Sequence, residues 1–287
     1  MSEKHIDEIS GVETTGHEWD GIRELNNPMP RWWVWCFYLT IIWAIGYTIA
    51  YPAWPLLTEN TKGLLGWSSR ADFAGEMVEA KTAQSVYLDK IAASSLADIQ
   101  ADNELLQFAV AGGSAAFKVN CIQCHGSGAS GGAGFPNLND DDWLWGGSAD
   151  DIYTTITHGI RFADDDDTRL SEMPAYADML QSQEIKQVAA YVVSLTGTPR
   201  DASMVEPGKQ IFADNCASCH GEDAKGNREF GAPNLADAIW LKVEGEDGIA
   251  AQVRAPKHGV MPAWGERLGD ATVKQLALFV HSLGGGE

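Results

Sequence analysis

The sequence predicts an all-α protein, with one membrane-spanning helix near the N-terminus followed by two helical domains in tandem. Three observations carry that expectation. Residues Trp32 to Trp54 run 23 positions without a charge. The pentads Cys121-Ile122-Gln123-Cys124-His125 and Cys216-Ala217-Ser218-Cys219-His220 repeat one pattern 95 residues apart. Helix start and stop signals recur through both halves, while strand signals are scarce.

The elements follow in order. Residues 1–31 form a polar segment of weak periodicity, closed by Asn26-Asn27-Pro28-Met29-Pro30. Two prolines so close break the chain ahead of a helix. Residues 32–54 are long enough to cross a bilayer, which needs about 20 apolar residues. Trp32, Trp33, Trp35, Tyr51 and Trp54 sit at its ends as an interfacial belt would. The long acidic start and the length of the run set it apart from a cleavable signal peptide. Lys4, Arg23 and Arg31 before the span and Lys62 and Arg70 after it give only a weak orientation signal. Residues 55–100 read as a helical tether without a clean apolar stripe.

Each pentad carries two thiols three positions apart and a histidine directly after them. That is the attachment signature of a c-type haem: one helical turn offers both sulfurs to a porphyrin, and the imidazole meets the iron. A zinc knuckle or a thioredoxin-like pair would not explain two copies so far apart, each with its own histidine. Two covalent haems c are therefore expected, held by Cys121, Cys124 and His125 and by Cys216, Cys219 and His220. Of the five cysteines only Cys36 remains, inside the apolar span. Haems of this class are attached outside the bacterial inner membrane, so residues 55–287 are expected in the periplasm and the N-terminus in the cytoplasm.

Aligned on the pentads, the halves repeat. Gly113 and Phe117 match Gly208 and Phe212, and Pro136-Asn137-Leu138 matches Pro233-Asn234-Leu235. Trp143-Leu144 matches Trp240-Leu241, His158-Gly159 matches His258-Gly259, and Met173-Pro174-Ala175-Tyr176 matches Met261-Pro262-Ala263-Trp264. Closing helices are expected over 184–195 and 272–283, with Tyr191 and Phe279 each 18 residues after their methionine. Agreement over this length is duplication, and it sets the domains at 101–199 and 205–287. The first half holds twelve extra residues between His158 and Met173, including Asp164 to Asp167, which read as a solvated loop.

Met173 and Met261 are the candidate second axial ligands, since a soft thioether favours ferrous iron and raises the potential. Each could serve its own domain's iron or the other's. His158 and His258 suit packing roles, and the Pro-Asn-Leu segments with Trp143 and Trp240 are expected to line the crevices. With both axial positions filled the chain carries electrons and is not a catalyst by itself. The net charge of −20 excludes nucleic acid as a partner. Residues 98–200 hold 15 acids against 5 Lys/Arg, and residues 201–287 hold 13 against 8, so the first domain is the more acidic.

On these motifs the chain resembles the membrane-anchored diheme cytochrome c subunit (CcoP or FixP) of cbb3-type cytochrome c oxidase. The most specific stretches are Trp19-Asp20-Gly21-Ile22 through Asn26-Asn27-Pro28-Met29-Pro30-Arg31-Trp32-Trp33, and Thr61-Lys62-Gly63-Leu64-Leu65-Gly66. The resemblance spans essentially the whole chain. It implies a subunit passing electrons from a soluble or membrane-bound c-type donor toward a haem–copper subunit, beside a second c-type cytochrome subunit. It also implies attachment at Cys121, Cys124, Cys216 and Cys219, proximal ligands His125 and His220, and distal ligands Met173 and Met261 with exchanged pairing.

Overall fold

The computed structural model describes residues 5–237 and 239–287; Lys4, counted above among the charges before the span, lies outside the described residues. The chain divides into two compact units between Ala83 and Gln84.

The N-terminal unit departs from the all-α expectation. Strands β1 (Thr14–Trp19) and β2 (Ile22–Leu25) pair antiparallel, with Glu18 opposite Arg23 and Trp19 opposite Ile22. Their connection is Asp20-Gly21, both left-handed at φ 50° and 83°. That geometry matches the strand twist and makes Asp-Gly a strong hairpin signal. The rest of the chain's regular structure is mostly helical.

Helix α1 (Arg31–Ala50) is the only helix among the described residues long and apolar enough to cross a membrane, and none of its side chains is buried. Its 20 residues rise about 30 Å at 1.5 Å each, one bilayer core. It ends four residues before the expected Trp54. Tyr51 precedes Pro52, whose ring disfavours helical geometry there, and Tyr51 is extended at φ −112°, ψ 161°. The Thr61–Gly66 stretch caps this helix. Leu64 N–H donates to the Ile49 carbonyl at 3.0 Å and Leu65 N–H to Ala50 at 3.1 Å, satisfying groups that a helix end leaves unpaired. Gly63 is left-handed at φ 70°, and a Cβ there would stand 2.4 Å from the Ala50 oxygen.

Helix α2 (Ser69–Ala93) crosses the division at Ala83. In the second unit follow α3 (Leu96–Ala101), α4 (Asn103–Asn120), α5 (Ile122–His125), α6 (Ala149–His158), α7 (Ser182–Ser194), α8 (Val205–Asn215), α9 (Ala217–His220), α10 (Gly245–Arg254), α11 (Gly265–Leu268) and α12 (Asp270–His281). Starts obey capping chemistry. Ser95, Asp102 and Ser148 accept from first-turn N–H groups, and Gln181 with Glu184 forms a capping box. The end of the expected tether is core: Ile91, Leu96 and Ile99 are buried with Leu105, Ala109, Ala149 and Leu278. Lys274 donates to the carbonyls of Ile91, Ala92 and Ser94 at 3.0–3.3 Å, closing α2 with a cation where the helix end is negative.

The two sequence repeats do not fold as separate bundles over 101–199 and 205–287. Closing helix α12 packs on α4 and α6 of the first repeat, and closing helix α7 packs on α8 and α10 of the second. The exchange is equivalent on both sides. Phe117 meets Phe279 at 5.4 Å between ring centroids and 54°, and Phe212 meets Tyr191 at 5.3 Å and 54°. Gly113 and Gly208 make the close approach possible. A Cβ on Gly113 would lie 2.1 Å from the Gln275 oxygen, and one on Gly208 2.0 Å from the Gln187 oxygen. One lobe is thus built from residues on either side of a contiguous segment that forms most of the other.

Candidate functional site

Each pentad begins where a helix ends. Cys121 N–H donates to Phe117 O at 2.9 Å and His125 N–H to Cys121 O at 2.9 Å; Cys216 and His220 repeat this at 2.8 and 2.9 Å. Gly126 and Gly221, at φ 78° and 80°, turn the chain away. The five cysteines are unpaired. Burial pushes the Cys121 and Cys216 thiols up to about 11, with a smaller push from Cys124 and Cys219. A thiol held neutral is a poor redox nucleophile, against the thioredoxin-like reading.

The histidines are set alike. His125 Nδ1 lies 3.2 Å from the Pro136 oxygen, and His220 Nδ1 lies 3.2 Å from the Pro233 oxygen. A proton on Nδ1 donates to that carbonyl and leaves Nε2 as the free lone pair, the arrangement a metal-binding imidazole needs. Burial holds both rings below their ordinary value, against a smaller opposing push from the proline carbonyl. That favours the neutral form of each ring, the form that ligates a metal. The loop after each histidine also repeats. Ala129 and Ala224, both buried and left-handed at φ 58° and 60°, accept from Leu138 and Leu235 at 2.8 and 2.7 Å. Both lie eight residues after their first cysteine, a match visible in the sequence that goes unread without the backbone angle.

The remaining predicted residues sort into two kinds. Leu138 and Trp143 pack with Cys121 and Phe117, and Leu235 and Trp240 pack with Cys216 and Phe212, each staying with its own pentad. The methionines change sides. Met261 packs in the cluster of Phe117, Cys121 and Ile152, while Met173 packs in that of Phe212, Cys216 and Ile249. Both segments are stitched into the opposite repeat. Met261 and Ile160 exchange N–H···O bonds at 2.9 and 3.0 Å, and Trp264 N–H donates to Ile156 O at 3.0 Å. Tyr176 N–H donates to Val253 O at 3.1 Å, and its hydroxyl donates to Asn215 O at 2.7 Å. Gly159, at φ 70°, admits the crossing; a Cβ there would stand 2.3 Å from the Met261 oxygen.

His158 and His258 match in sequence but not in surroundings. His158 Nδ1 lies 3.1 Å from Asp165 Oδ1, while His258 is exposed. The acidic loop is correspondingly anchored: Asp165 is half-buried and also accepts from Asp167 N–H at 2.9 Å, leaving Asp164, Asp166 and Asp167 exposed. Between the crevices lies a cavity of about 230 Å³ lined by Pro136, Asn137 and Asp142 from one repeat and Ile239, Trp240 and Leu241 from the other. Burial, followed by the charges of Asp237, Asp140 and Asp141, pushes Asp142 up to about 6.

Two family models match the sequence. Residues 11–58 match the family described as the N-terminal domain of cytochrome oxidase-cbb3, FixP. Residues 108–192 and 203–280 match "Cytochrome C oxidase, cbb3-type, subunit III", one match for each repeat. The chain belongs to the FixP/CcoP family of cbb3-type oxidase subunits. Among its relatives are the cbb3-type cytochrome c oxidase subunit FixP of Rhizobium meliloti (strain 1021), 69% identical over 284 residues, covering 99% of this chain and 98% of that one. FixPc of Rhizobium leguminosarum bv. viciae is 67% identical over 286 residues, covering all of both chains. Subunit CcoP of Cereibacter sphaeroides is 52% identical over 276 residues, covering 96% and 95%. Membership makes this chain a haem c-binding, electron-transfer subunit of a cbb3-type oxidase, with α1 fitting a membrane anchor.

Proposed function

We propose that the chain binds two covalent haems c, one on each pentad, and passes electrons from periplasmic c-type cytochromes toward the haem–copper subunit that reduces oxygen. The observation that carries this is the duplicated setting: each pentad has a carbonyl-fixed histidine on one side and one methionine packed into its cluster. Haem c, when bound, supplies a one-electron iron couple. Cys121 and Cys124, and Cys216 and Cys219, form the thioether links. His125 and His220 present Nε2 as proximal donors, their rings fixed by Pro136 and Pro233. Met261 serves the Cys121/Cys124 site and Met173 the Cys216/Cys219 site. Bound there, the two thioethers would favour ferrous iron and raise its potential, and with a histidine and a methionine both ligating, each site would carry electrons and leave no place for substrate.

The N-terminal residues lie in the cytoplasm of a bacterium, α1 spans its inner membrane once, and the second unit stands in the periplasm. There the chain meets a second c-type cytochrome subunit of the same oxidase and a c-type donor. Isolating the oxidase through this chain tests the assignment. A haem–copper subunit should accompany it, and a reduced periplasmic cytochrome c should reduce both haems within one turnover. Carbon monoxide binding to the haems of the native reduced chain as readily as to an iron with an open position, or reduction slower than turnover, contradicts it.

A further inference from the structure

The twelve extra residues of the first repeat hold a group that reaches both crossing segments. Arg161 donates from Nε to the Gly259 carbonyl at 2.7 Å and from Nη1 to the Ser171 carbonyl at 2.8 Å. Gly259 lies two residues before Met261, and Ser171 lies two residues before Met173. One half-buried guanidinium therefore ties together the two crossing segments that carry the methionines. Its own backbone is fixed: Arg161 N–H donates to Arg169 O at 3.0 Å, and Ile160 beside it pairs with Met261. Arg161 takes a left-handed φ of 52°, uncommon for a residue with a long side chain, and such strain persists where the surroundings impose it. The second repeat joins His258 to Met261 through Gly259 and Val260 alone and has no counterpart of this arginine. A planar fork holds its donors in fixed, divergent directions, which suits two carbonyls on two different segments with little loss of side-chain freedom.

We infer that Arg161 is a positioning residue shared by the two sites, holding Met173 and Met261 in register with opposite irons. This rests on the methionine ligation proposed above. A charged hydrogen bond fixes each segment two residues from its thioether, so its loss loosens both methionines together and leaves the cysteine links intact. Arg161→Gln keeps hydrogen-bonding capacity but removes the charge and the fork. Arg161→Lys keeps the charge but not the fork.

The test uses the full chain in its membrane complex, with Met173→Ala and Met261→Ala prepared in parallel. Haem staining after denaturing electrophoresis counts attached haems. Near-infrared magnetic circular dichroism counts irons that keep a thioether, and carbon monoxide binding measures dissociation of that ligand. In Arg161→Gln both haems should stay attached while carbon monoxide binding at both rises about tenfold, the factor a lost charged hydrogen bond corresponds to. Arg161→Lys should fall between this variant and the native chain. If the methionine variants each open one iron and Arg161→Gln opens neither, or only one, the shared clamp is overturned and the ligation stands. If neither methionine variant changes the spectrum, the ligation fails and the clamp with it. Should Arg161→Gln yield no assembled protein, Arg161→Lys decides: native carbon monoxide binding overturns the inference, and a rise at both irons supports it.

Discussion

The two lobes of the second unit share the cysteines, the histidine, the Pro-Asn-Leu segment and the tryptophan of the pentad setting yet differ in how the chain leaves it. In the lobe of Cys216 the return from His258 to Met261 takes three steps and contains Gly259 and Val260. In the lobe of Cys121 the path from His158 to Met173 takes fifteen, and this longer path is pegged internally by Arg161, by Asp165 on His158 and by Arg169 on the Asp151 carbonyl. Short crossings are fixed by their ends, whereas long ones need contacts of their own to offset the entropy of ordering more residues. The pentad histidine, the Pro-Asn-Leu segment and the tryptophan, which stay with their own pentad, keep matched contacts in both lobes. The crossing segments are where the lobes diverged.

The largest effect expected from breaking this equivalence is loss of a cofactor. Replacing Cys216 and Cys219 with alanine should leave one haem that survives denaturing electrophoresis, and two surviving haems would refute the assignment. Next come the paired glycines. Gly113→Ala and Gly208→Ala each drive a Cβ into a backbone carbonyl of the exchanged helix. Each should destabilise the second unit by about 1–3 kcal/mol through overpacking, more than the gain in helix propensity returns. Denaturant unfolding should give similar losses for the two variants; a loss at only one would mean the exchange is one-sided.

A smaller effect tests the difference between Asp142 and Ile239, which hold the same place before Trp143 and Trp240. Asp142 is raised in the folded state to about 6, by burial first and neighbouring carboxylates second. A carboxyl whose folded pKa exceeds its unfolded value of 3.8 costs stability as it ionises. The cost is absent below the unfolded value, grows between it and about 6, and is full above. Asp142→Asn should therefore stabilise at neutral pH, by no more than about 1 kcal/mol after solvent screening, and not at pH below the unfolded value. Unfolding curves at the two pH values check the sign.

The smallest effect concerns the long crossing's outer face. Replacing Asp164, Asp166 and Asp167 with asparagine, and sparing the anchored Asp165, should slow reduction by a basic cytochrome and flatten its salt dependence. Steering between opposite charges is screened beyond about 8 Å at physiological ionic strength. Stopped-flow reduction at low and high salt measures it; an unchanged rate and slope would remove the loop from the docking face.

Much of this was legible in the residues. The pentads, the Pro-Asn-Leu and tryptophan positions and the aromatic pair Tyr191 and Phe279 all stand at matched places in the fold. The exchange was not legible, because duplication makes the two closing helices interchangeable in pattern. Gly113 and Phe117 offer the same groove to Tyr191 or to Phe279, and only the crossing path decides. The hairpin at Asp20-Gly21 escaped because its strands are short and β2 is wholly exposed, so no alternation of buried and exposed residues marks it. The end of α1 at Ala50 was written in Pro52, which apolar content alone conceals. Arg161 gave no signal at all: an arginine in an acidic insertion reads as surface until the two carbonyls are in place.

The central claim is that each pentad takes its methionine from the other repeat. The single-haem protein lacking Cys216 and Cys219 isolates the iron at His125, and its potential can be read after replacing either methionine with histidine. Met261→His should lower that potential strongly, since a nitrogen donor favours ferric iron more than a thioether does, and Met173→His should leave it nearly unchanged. A fall on Met173→His with no response to Met261→His would contradict the exchange and return each methionine to its own repeat.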